Sequence, residues 1–252
     1  MGQLLFFMPK PERFTSTILL ISFIILYTLL SYQRNEAWRN ELSLWEDVLE
    51  KNPVKARGYN NIGVAYTALN IIDKAIENYR KALKIYPGFA KAHYNLGTTY
   101  LSLGMTAEAI EEYKAALKIE SSSAIAHYGL AYAYSRLGRT AEAMEEYRQL
   151  LRIRPEYPDA HNNLGSVYRK LGMMAEAIEE YKVALKIDPG LVKAHYNLGN
   201  AYLSLGMTAE AIEEYKAALK IDPGLAEAHH NLSVAFERIG LKRGKNRENK
   251  IE

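Results

Sequence analysis

Residues 91–120 read KAHYNLGTTYLSLGMTAEAIEEYKAALKIE, and residues 193–222 read KAHYNLGNAYLSLGMTAEAIEEYKAALKID. The two stretches are identical at 27 of 30 positions, which indicates an internal duplication. They begin 102 residues apart, which is three steps of 34 residues, and the same pattern returns at each step between them. A fixed period of this length is typical of a repeat protein, in which small helical units bury their apolar faces against each other.

Five kinds of position keep the 34-residue step. Small residues let two helices approach closely, and Tyr opposite Ala interlocks a large side chain with a small one. A Leu-Gly pair ends each first helix, and Pro ends each second helix. The recurring residues are Gly63, Gly97, Ala131, Gly165, Gly199 and Ser233; Tyr66, Tyr100, Tyr134, Tyr168, Tyr202 and Phe236; Ala75, Ala109, Ala143, Ala177 and Ala211; Tyr79, Tyr113, Tyr147, Tyr181 and Tyr215; and Pro53, Pro87, Pro155, Pro189 and Pro223, with Ser121 in one Pro position.

This pattern resembles that of the tetratricopeptide repeat (TPR) family, and the resemblance covers residues 56–225 as five complete repeats. It implies an all-α fold, a right-handed TPR superhelix (α-solenoid) with a concave side. Residues 34–55 are then expected to form a half-repeat capping helix. Residues 56–240 would hold the five repeats and a C-terminal capping helix, and residues 241–252 a charged, disordered tail.

A hydrophobic stretch precedes the repeats. Residues 14–33, FTSTILLISFIILYTLLSYQ, contain no charge and as a helix would span roughly 30 Å, the thickness of the hydrocarbon core of a bilayer. They predict one transmembrane helix, with the lipid bilayer as a partner and residues 1–13 as an N-terminal tail. The alternatives are a cleaved signal peptide and a buried soluble helix. The stretch is longer than a signal-peptide core, and no small-residue cleavage site follows it.

The basic residues beside this stretch are balanced in number. Lys10 and Arg13 precede it, and Arg34 and Arg39 follow it. Because a short basic tail before a long domain usually stays in the cytoplasm, we expect a single-pass membrane protein whose repeats lie on the extracytoplasmic side.

The composition excludes several classes of function. The 252 residues include no Cys, which rules out disulfide frameworks, Cys-ligated zinc, iron–sulfur clusters and thiol catalysis. The net charge is +3, and the last twelve residues alone carry +3, so the rest of the chain gives no sign of nucleic-acid binding. The nucleotide-binding, esterase and metalloprotease motifs are absent from the sequence. We therefore expect no enzymatic activity, no catalytic residue, no metal and no cofactor.

Histidines and glutamates recur with the same period. Equivalent residues on stacked helices are about 8–10 Å apart, too far to share a metal ion, so the histidines are expected to pack rather than to ligate. Paired glutamates suggest acid–base chemistry, but Lys or Arg follows within three residues in most pairs, so a solvated outer face is expected. The residues are His93, His127, His161, His195 and His229, and Glu111-Glu112, Glu145-Glu146, Glu179-Glu180 and Glu213-Glu214.

The sixth residue of each repeat points into the groove in the TPR register, and it is Asn in five of six cases. An amide has two donors and an acceptor, so a row of amides can hold the backbone of an extended peptide. A similar ladder serves this purpose in the TPR superhelix of O-linked N-acetylglucosamine transferase. The alternative is that each Asn bonds within its own repeat. The ladder is Asn61, Asn95, Asn163, Asn197 and Asn231, with Gly129 at the remaining step.

Tyrosines accompany this ladder. Tyr94, Tyr128 and Tyr196 take the preceding position, and Tyr132 lies one helical turn beyond. Tyr offers a large contact area at small entropic cost, which suits peptide binding; the alternative is that these rings only cover the helix pair. The chaperone-binding type of TPR protein holds a C-terminal carboxylate with a Lys, Asn and Arg clamp. That clamp is missing here, because the residues at its positions in this sequence are Asn60, Val64, Asn95, Ile125 and Gly129, which do not supply the Lys, Asn and Arg set.

The sequence thus predicts a membrane-anchored scaffold or adaptor that binds a protein or extended peptide in its concave groove. Two alternatives stay open. Arg34-Asn35-x-x-Trp38 and Leu44-Trp45-x-Asp47 resemble the junction before the C-terminal repeats of multi-span protein O-mannosyltransferase-like membrane proteins. This implies a truncated or accessory part of a membrane glycosyltransferase system, with a multi-span membrane partner and repeats that present the acceptor protein. The other alternative is a self-associating assembly scaffold.

Overall fold

The computed structural model describes residues 20–32 and 40–248, with side chains described as far as Gly240. The regular secondary structure of these residues is entirely α-helical, and helix α1 covers residues 20–32. The chain divides into two compact units, residues 1–87 and 88–252. The other helices are α2 (Glu41–Lys51), α3 (Ala56–Ala68) and α4 (Ile72–Ile85) in the first unit, and α5 (Ala90–Ser102), α6 (Thr106–Ile119), α7 (Ala124–Arg136), α8 (Thr140–Ile153), α9 (Pro158–Lys170), α10 (Met174–Ile187), α11 (Val192–Ser204), α12 (Thr208–Ile221) and α13 (Ala226–Glu248) in the second.

In the first unit, α2 packs on α3, and α3 pairs with α4. The start of α2 is fixed by a capping box: the Asn40 side chain accepts a hydrogen bond from the Ser43 N–H at 2.8 Å, and the Ser43 hydroxyl accepts one from the Asn40 N–H at 3.4 Å. Gly58 leaves room for Leu49, since a Cβ at Gly58 would lie 2.6 Å from the Leu49 side chain. A helix that packs on the first repeat thus lies inside the range 34–55, over Glu41–Lys51.

The second unit is a row of helical hairpins followed by a single helix. α5 pairs with α6, α7 with α8, α9 with α10, and α11 with α12, and α13 packs on α12. Each hairpin contacts the next through α6 and α7, α8 and α9, and α10 and α11. Contacts also join α5 to α7, α9 to α11, and α11 to α13. The first helices, α5, α7, α9, α11 and α13, therefore form one layer, which we call the first-helix layer.

Large and small residues interlock within each hairpin. Tyr181 is fully buried on α10, and a Cβ added to Gly165 on α9 would lie 2.7 Å from its ring. The hairpin turns use glycines with φ between +71° and +78°, in the left-handed region that favours glycine. These turn residues are Gly104, Gly138, Gly172 and Gly206. The small positions and the glycine caps read from the 34-residue pattern are therefore present in the structure.

The C-terminal end differs from the expectation of disorder after residue 240. Helix α13 runs from Ala226 to Glu248, so residues 241–248 are helical. Extending an existing helix needs no new nucleation, and the Lys, Arg and Glu of this segment are good helix formers. Residues 249–252 lie outside the described residues.

No helix in the described part of the chain combines the length and the apolarity that a membrane crossing requires. The predicted transmembrane stretch, residues 14–33, is described over residues 20–32 as α1, whose apolar side chains are exposed. Residues 14–19 and 33, the N-terminal tail 1–13 and residues 34–39 lie outside the described residues.

Candidate functional site

The predicted asparagine ladder is divided between the two units. Asn61 lies on α3 in the first unit, where its side-chain oxygen accepts a hydrogen bond from Asn60 at 3.1 Å. The remaining four residues lie on the first-helix layer of the second unit, on α5, α9, α11 and α13, and all are half-buried. They are Asn95, Asn163, Asn197 and Asn231.

The ladder amides of the second unit donate across repeats. The Asn163 amide N–H on α9 donates to the Tyr128 hydroxyl on α7 at 3.2 Å. The Asn197 amide N–H on α11 donates to the Asn162 side-chain oxygen on α9 at 2.9 Å. At least one amide donor of each of these two residues is therefore used inside the protein, and peptide binding by the ladder stays a prediction. The alternative of bonding within one repeat holds for the Asn163 side-chain oxygen, which accepts a hydrogen bond from Asn162 at 3.3 Å, whereas the two donors reach the preceding repeat.

At the C-terminal end these bonds join into a network. The Asn231 amide on α13 donates to the Asn200 side-chain oxygen at 2.8 Å and to the Tyr196 hydroxyl at 3.3 Å. The Tyr215 hydroxyl donates to the same Asn200 oxygen at 2.7 Å. Both amide donors of Asn231 are used, whereas its side-chain oxygen accepts no hydrogen bond from the described residues. The network therefore fixes the orientation of an amide and leaves its acceptor available.

Three of the predicted tyrosines pack onto buried tyrosines of the second helices. The ring centroids are 5.8 Å apart for Tyr94 and Tyr113, and 6.1 Å apart for Tyr196 and Tyr215. Burial raises the pKa of Tyr113 and of Tyr215 to about 12, so both hydroxyls stay protonated at physiological pH. Tyr94 and Tyr196 thus cover the helix pair and remain half-exposed, and their contact with a peptide stays a prediction.

Two concavities of the first-helix layer lie around α7. One cleft of about 190 Å³ is lined by aromatic and aliphatic side chains and one cation: Tyr94, Ile125, Tyr128, Leu150, Arg154 and Tyr157. A second cleft of about 390 Å³ shares Tyr94, Ile125 and Arg154 and adds Lys91, Asn95 and Glu120. The structure therefore brings together Tyr94, Asn95 and Tyr128 of the predicted site.

Other predicted site residues lie outside these two clefts, and several of the lining residues were not predicted to bind. Tyr132 is exposed on α7 but lines neither cleft, and Asn163, Tyr196, Asn197 and Asn231 lie further along the first-helix layer. The unpredicted residues include Ile125, Arg154 and Tyr157. For Ile125 and Arg154 the signal in the sequence is a departure from the repeat pattern, since the other repeats carry charged residues in place of Ile125 and three of them carry acidic residues in place of Arg154. Tyr157 gives no such signal, because Phe or Leu stands at its position in most repeats.

The periodic histidines bind carboxylates. The Nδ1 atoms of four histidines lie 2.6 Å from a carboxylate oxygen on the second helix of the same hairpin. The expectation of a solvated outer face is therefore wrong for the second Glu of each pair, and Lys114 bonds only the first, Glu111, of its pair. The pairs are His93–Glu112, His127–Glu146, His161–Glu180 and His195–Glu214.

The second ring nitrogen of these histidines also meets an acceptor. The His127 Nε2 lies 3.0 Å from the carbonyl oxygen of Ser121, and the His161 Nε2 lies 2.8 Å from that of Pro155. Because a carboxylate and a carbonyl both accept, both contacts are hydrogen bonds only when the imidazole carries two protons. The residues described in the structure include no group of three or more His, Asp or Glu side chains arranged to hold a metal ion.

Comparison with known families agrees with this architecture. A model described as TPR repeat matches residues 63–104, 165–206 and 199–240, and a model described as tetratricopeptide repeat matches residues 94–158. A comparison with curated protein sequences gives no significant match.

Solved structures of repeat proteins superimpose on the chain. The crystal structure of MamA is 31% identical, with a TM-score of 0.62, and the match covers 66% of this chain and 97% of that one. The crystal structure of YrrB, described as a TPR protein with an unusual peptide-binding site, is 25% identical, with a TM-score of 0.65 and coverage of 74% and 96%. PilF of Pseudomonas aeruginosa, at 21% identity, a TM-score of 0.65 and coverage of 74% and 86%, shares the fold. The 34-residue pattern, the stacked hairpins and these matches together make the chain a member of the tetratricopeptide repeat family.

Proposed function

We propose that the chain is a scaffold that holds an extended segment of a partner protein against the first-helix layer of residues 88–240. The observation that carries this proposal is the pair of oriented amide acceptors on α11 and α13. The amide donors of Asn197 and Asn231 are bound to the preceding repeat, and their side-chain oxygens accept nothing from the described residues. Such an oxygen can accept a backbone N–H of a bound peptide without first breaking a bond inside the protein.

The similarity to YrrB supports the same function. YrrB is described as having a peptide-binding site, and it shares the repeat architecture over most of its length. In the present chain, Tyr196 lies beside Asn197 and offers a half-exposed ring next to the amide. A ring that packs on a ligand side chain and an amide that holds the ligand backbone together suit an extended peptide.

The test selects peptides from a phage-displayed library of random dodecapeptides against the full chain in mild detergent. Affinities of the selected peptides, with both ends blocked, are then measured by fluorescence anisotropy. We expect Asn197→Ala/Asn231→Ala to weaken binding about tenfold or more, because two backbone hydrogen bonds are lost at roughly 1 kcal/mol each.

The double variant also loses hydrogen bonds between repeats, so its helicity and Tm are measured alongside. The matched control is Asn78→Ala in the first unit, where the amide of Asn78 donates to the Lys74 carbonyl at 2.8 Å. This control removes an amide hydrogen bond of the same kind and leaves the first-helix layer of the second unit intact. Unchanged peptide affinity in the double variant would contradict the proposed role of the ladder.

We also propose that residues 14–33 anchor the scaffold to a membrane, with the repeats outside the cytoplasm. Support comes from the uncharged sequence of this stretch and from the exposed apolar side chains of α1, including Phe23 at 70% exposure. The anchor is tested by extraction at alkaline pH, where release of the chain without detergent contradicts it.

The orientation in the membrane is tested separately. Because the chain has no Cys, a single Lys118→Cys substitution on exposed α6 reports orientation, and a membrane-impermeant maleimide should label it in intact cells.

A further inference from the structure

Helix α7 departs from the other first helices along one exposed face. The other repeats carry Arg57, Lys91, Asp159, Lys193 or Glu227 at the position of Ile125, which is 50% exposed. One turn further, Tyr128 is followed by Gly129 where the ladder has Asn, and two turns further Tyr132 is 44% exposed. Positions 125, 128 and 132 follow helical spacing and therefore lie on one face, whereas Gly129 is buried against the Tyr113 ring of the preceding repeat. An exposed apolar and aromatic face at a position otherwise charged is not needed for the stacking of repeats.

Arg154 is the second departure. At the end of the second helices, three of the four corresponding residues, Glu120, Asp188 and Asp222, are acidic, and the fourth is Tyr86. The Asp222 carboxylate accepts a hydrogen bond from the Gly224 N–H at 3.0 Å. Arg154 cannot accept such a bond, and its guanidinium makes no hydrogen bond or ion pair with the described residues. It lies in the cleft beside Ile125. A guanidinium beside aromatic and aliphatic groups binds a carboxylate with two parallel hydrogen bonds.

The rings around this cation form a defined pocket. Tyr157 meets Tyr128 edge-on at 5.6 Å between centroids, and Tyr128 meets the buried Tyr147 at 6.1 Å. The Tyr128 hydroxyl is further fixed by the amide of Asn163 at 3.2 Å. The cleft of about 190 Å³ exceeds the apolar cavity of roughly 150 Å³ that binds benzene in another protein, so one large apolar side chain fits.

We infer that this cleft is a specificity pocket for a large apolar side chain that stands within two residues of an Asp or Glu in an internal segment of the partner protein. The inference rests on the proposed function and gives it a sequence preference. The apolar side chain fills the space among Tyr94, Tyr128 and Tyr157, and the carboxylate pairs with Arg154. An internal segment is required because Asn95 lines the adjoining cleft and Asn163 follows on the next first helix, so a bound chain continues past the pocket on both sides.

Charge around the cleft favours this ligand over a basic one. In the adjoining cleft the positive charge of Lys91 is balanced by the negative charge of Glu120. Among the lining residues, Arg154 therefore carries the one positive charge that no negative charge balances. Burial raises the pKa of Tyr128 and of Tyr157, and the nearby negative charge of Asp159 raises both further. Asp159 forms no ion pair with Arg154 among the described contacts. A carboxylate in the ligand therefore supplies the anion that the cleft lacks.

In the test, the peptides selected by the full chain are sequenced. Their affinities are then compared between the unmodified chain and variants that restore the repeat pattern. Two other repeats carry Lys at the position of Ile125, and two carry Asp at the position of Arg154. The variants Ile125→Lys and Arg154→Asp are therefore expected to fold with unchanged or higher Tm. We expect selected peptides to pair Phe, Leu, Ile or Trp with Asp or Glu. Replacing that acid by its amide should weaken binding to the unmodified chain about tenfold.

In Arg154→Asp the preference for the acid over its amide should disappear, and in Ile125→Lys binding should fall about tenfold or more. The matched control is Arg152→Gln, which removes an arginine of the last turn of α8, two residues before Arg154, that lines neither cleft. Wild-type affinity in the two pattern-restoring variants, or selected peptides without the apolar–acidic pair, would overturn the inference.

The outcomes separate this inference from the proposed function. If peptides bind, depend on Asn197 and Asn231, and lack the apolar–acidic pair, the function stands and the specificity pocket is wrong. If no dodecapeptide binds, both the proposed function and the specificity pocket are contradicted. If peptides with a free C-terminal carboxylate bind tenfold more tightly than blocked internal ones, the pocket recognises a chain end and the inference of an internal segment is overturned.

Discussion

At the scale of the residue, single atoms decide how closely two helices approach. A Cβ at Gly165 would lie 2.7 Å from the Tyr181 ring and 3.0 Å from the Ala177 carbonyl oxygen. The ring can turn slightly, but the carbonyl belongs to α10 and moves only with that helix. The equivalent residue of α7 is Ala131, which is fully buried, so that hairpin has adjusted to a methyl group.

This contrast predicts that the two opposite substitutions lower the free energy of unfolding by different amounts. Gly165→Ala should lower the free energy of unfolding by about 1–3 kcal/mol, because it overpacks the contact of α9 with α10. Ala131→Gly should lower it by about 1 kcal/mol, mainly through the lower helix propensity of Gly. Urea unfolding followed by circular dichroism measures both. A stabilising effect of Gly165→Ala would show that the hairpins relax freely, contrary to the close packing described.

Residue identities also mark the limit of what the sequence predicts. The tyrosine–glycine contacts and the glycine turns follow from the period, because they depend on spacing within one repeat. The bond from Asn197 to Asn162 depends on how two repeats stack, and spacing within a repeat does not determine it. Arg154 and Tyr157 lie after the second helix, away from the groove positions of the TPR register, so Arg154 is marked only by its departure from the pattern and Tyr157 is not marked at all.

At the scale of the element, a histidine joins each of the hairpins α7/α8, α9/α10 and α11/α12 to the preceding loop. His127 contacts Glu146 on its partner helix and the carbonyl of Ser121 in the loop before its own helix. The hydrogen bond to Glu146 raises the pKa of His127 above its ordinary value, against the effect of burial. For His161, burial lowers the pKa, but the bonds to Glu180 and to the Pro155 carbonyl outweigh it, so the net shift is upward.

These shifts predict that stability decreases as the pH rises. A histidine whose pKa is higher in the folded than in the unfolded state stabilises the fold fully below the unfolded value of about 6.5, and this contribution is lost as the pH passes the folded value. We expect the Tm to be a few degrees higher at pH 6 than at pH 8.5. His127→Gln/His161→Gln should reduce this difference, and an unchanged pH dependence would contradict the role given to the two charged pairs.

The matched control for this series is Lys114→Gln. It removes the exposed pair with Glu111, whose contribution is expected to be small and independent of pH over this range. The histidine pairs could not be identified from sequence spacing alone. His127 and Glu146 are 19 residues apart on two helices, and the contact forms only because the hairpin places them opposite each other.

At the scale of the whole chain, each repeat of the second unit depends on its neighbour, and the last helix ends the row. On α12, Ile212 and Tyr215 are buried beneath α13, where Ala235 is buried and Leu232 and Ile239 pack on the same cluster. The charged continuation of α13 beyond residue 240 was predicted to be disordered, because its composition lacks an apolar period. The folded helix before it supplies the nucleus that the composition does not reveal.

Removing this last helix tests how far the row depends on its end. Deletion of residues 226–252 should lower the free energy of unfolding by about 2–5 kcal/mol, since large side chains buried at about 1.5–3 kcal/mol each become exposed. It should also cause self-association, visible by size exclusion with light scattering. Deletion of residues 241–252 is the control, because it keeps the packing residues of α13. A monomeric product of the larger deletion with unchanged Tm would contradict the capping role.

The near-identity of the hairpins α5/α6 and α11/α12 has a consequence for how the chain reaches its native state. Helix α5 meets two almost equivalent partners during folding, its own α6 and the distant α12. The turn to α6 is only three residues long, from Leu103 to Met105, whereas α12 starts more than a hundred residues away. Closing the short turn costs far less chain entropy and takes well under a millisecond, so the neighbouring helix is reached first. The tight glycine turns thus protect a self-similar chain from exchanging its own segments.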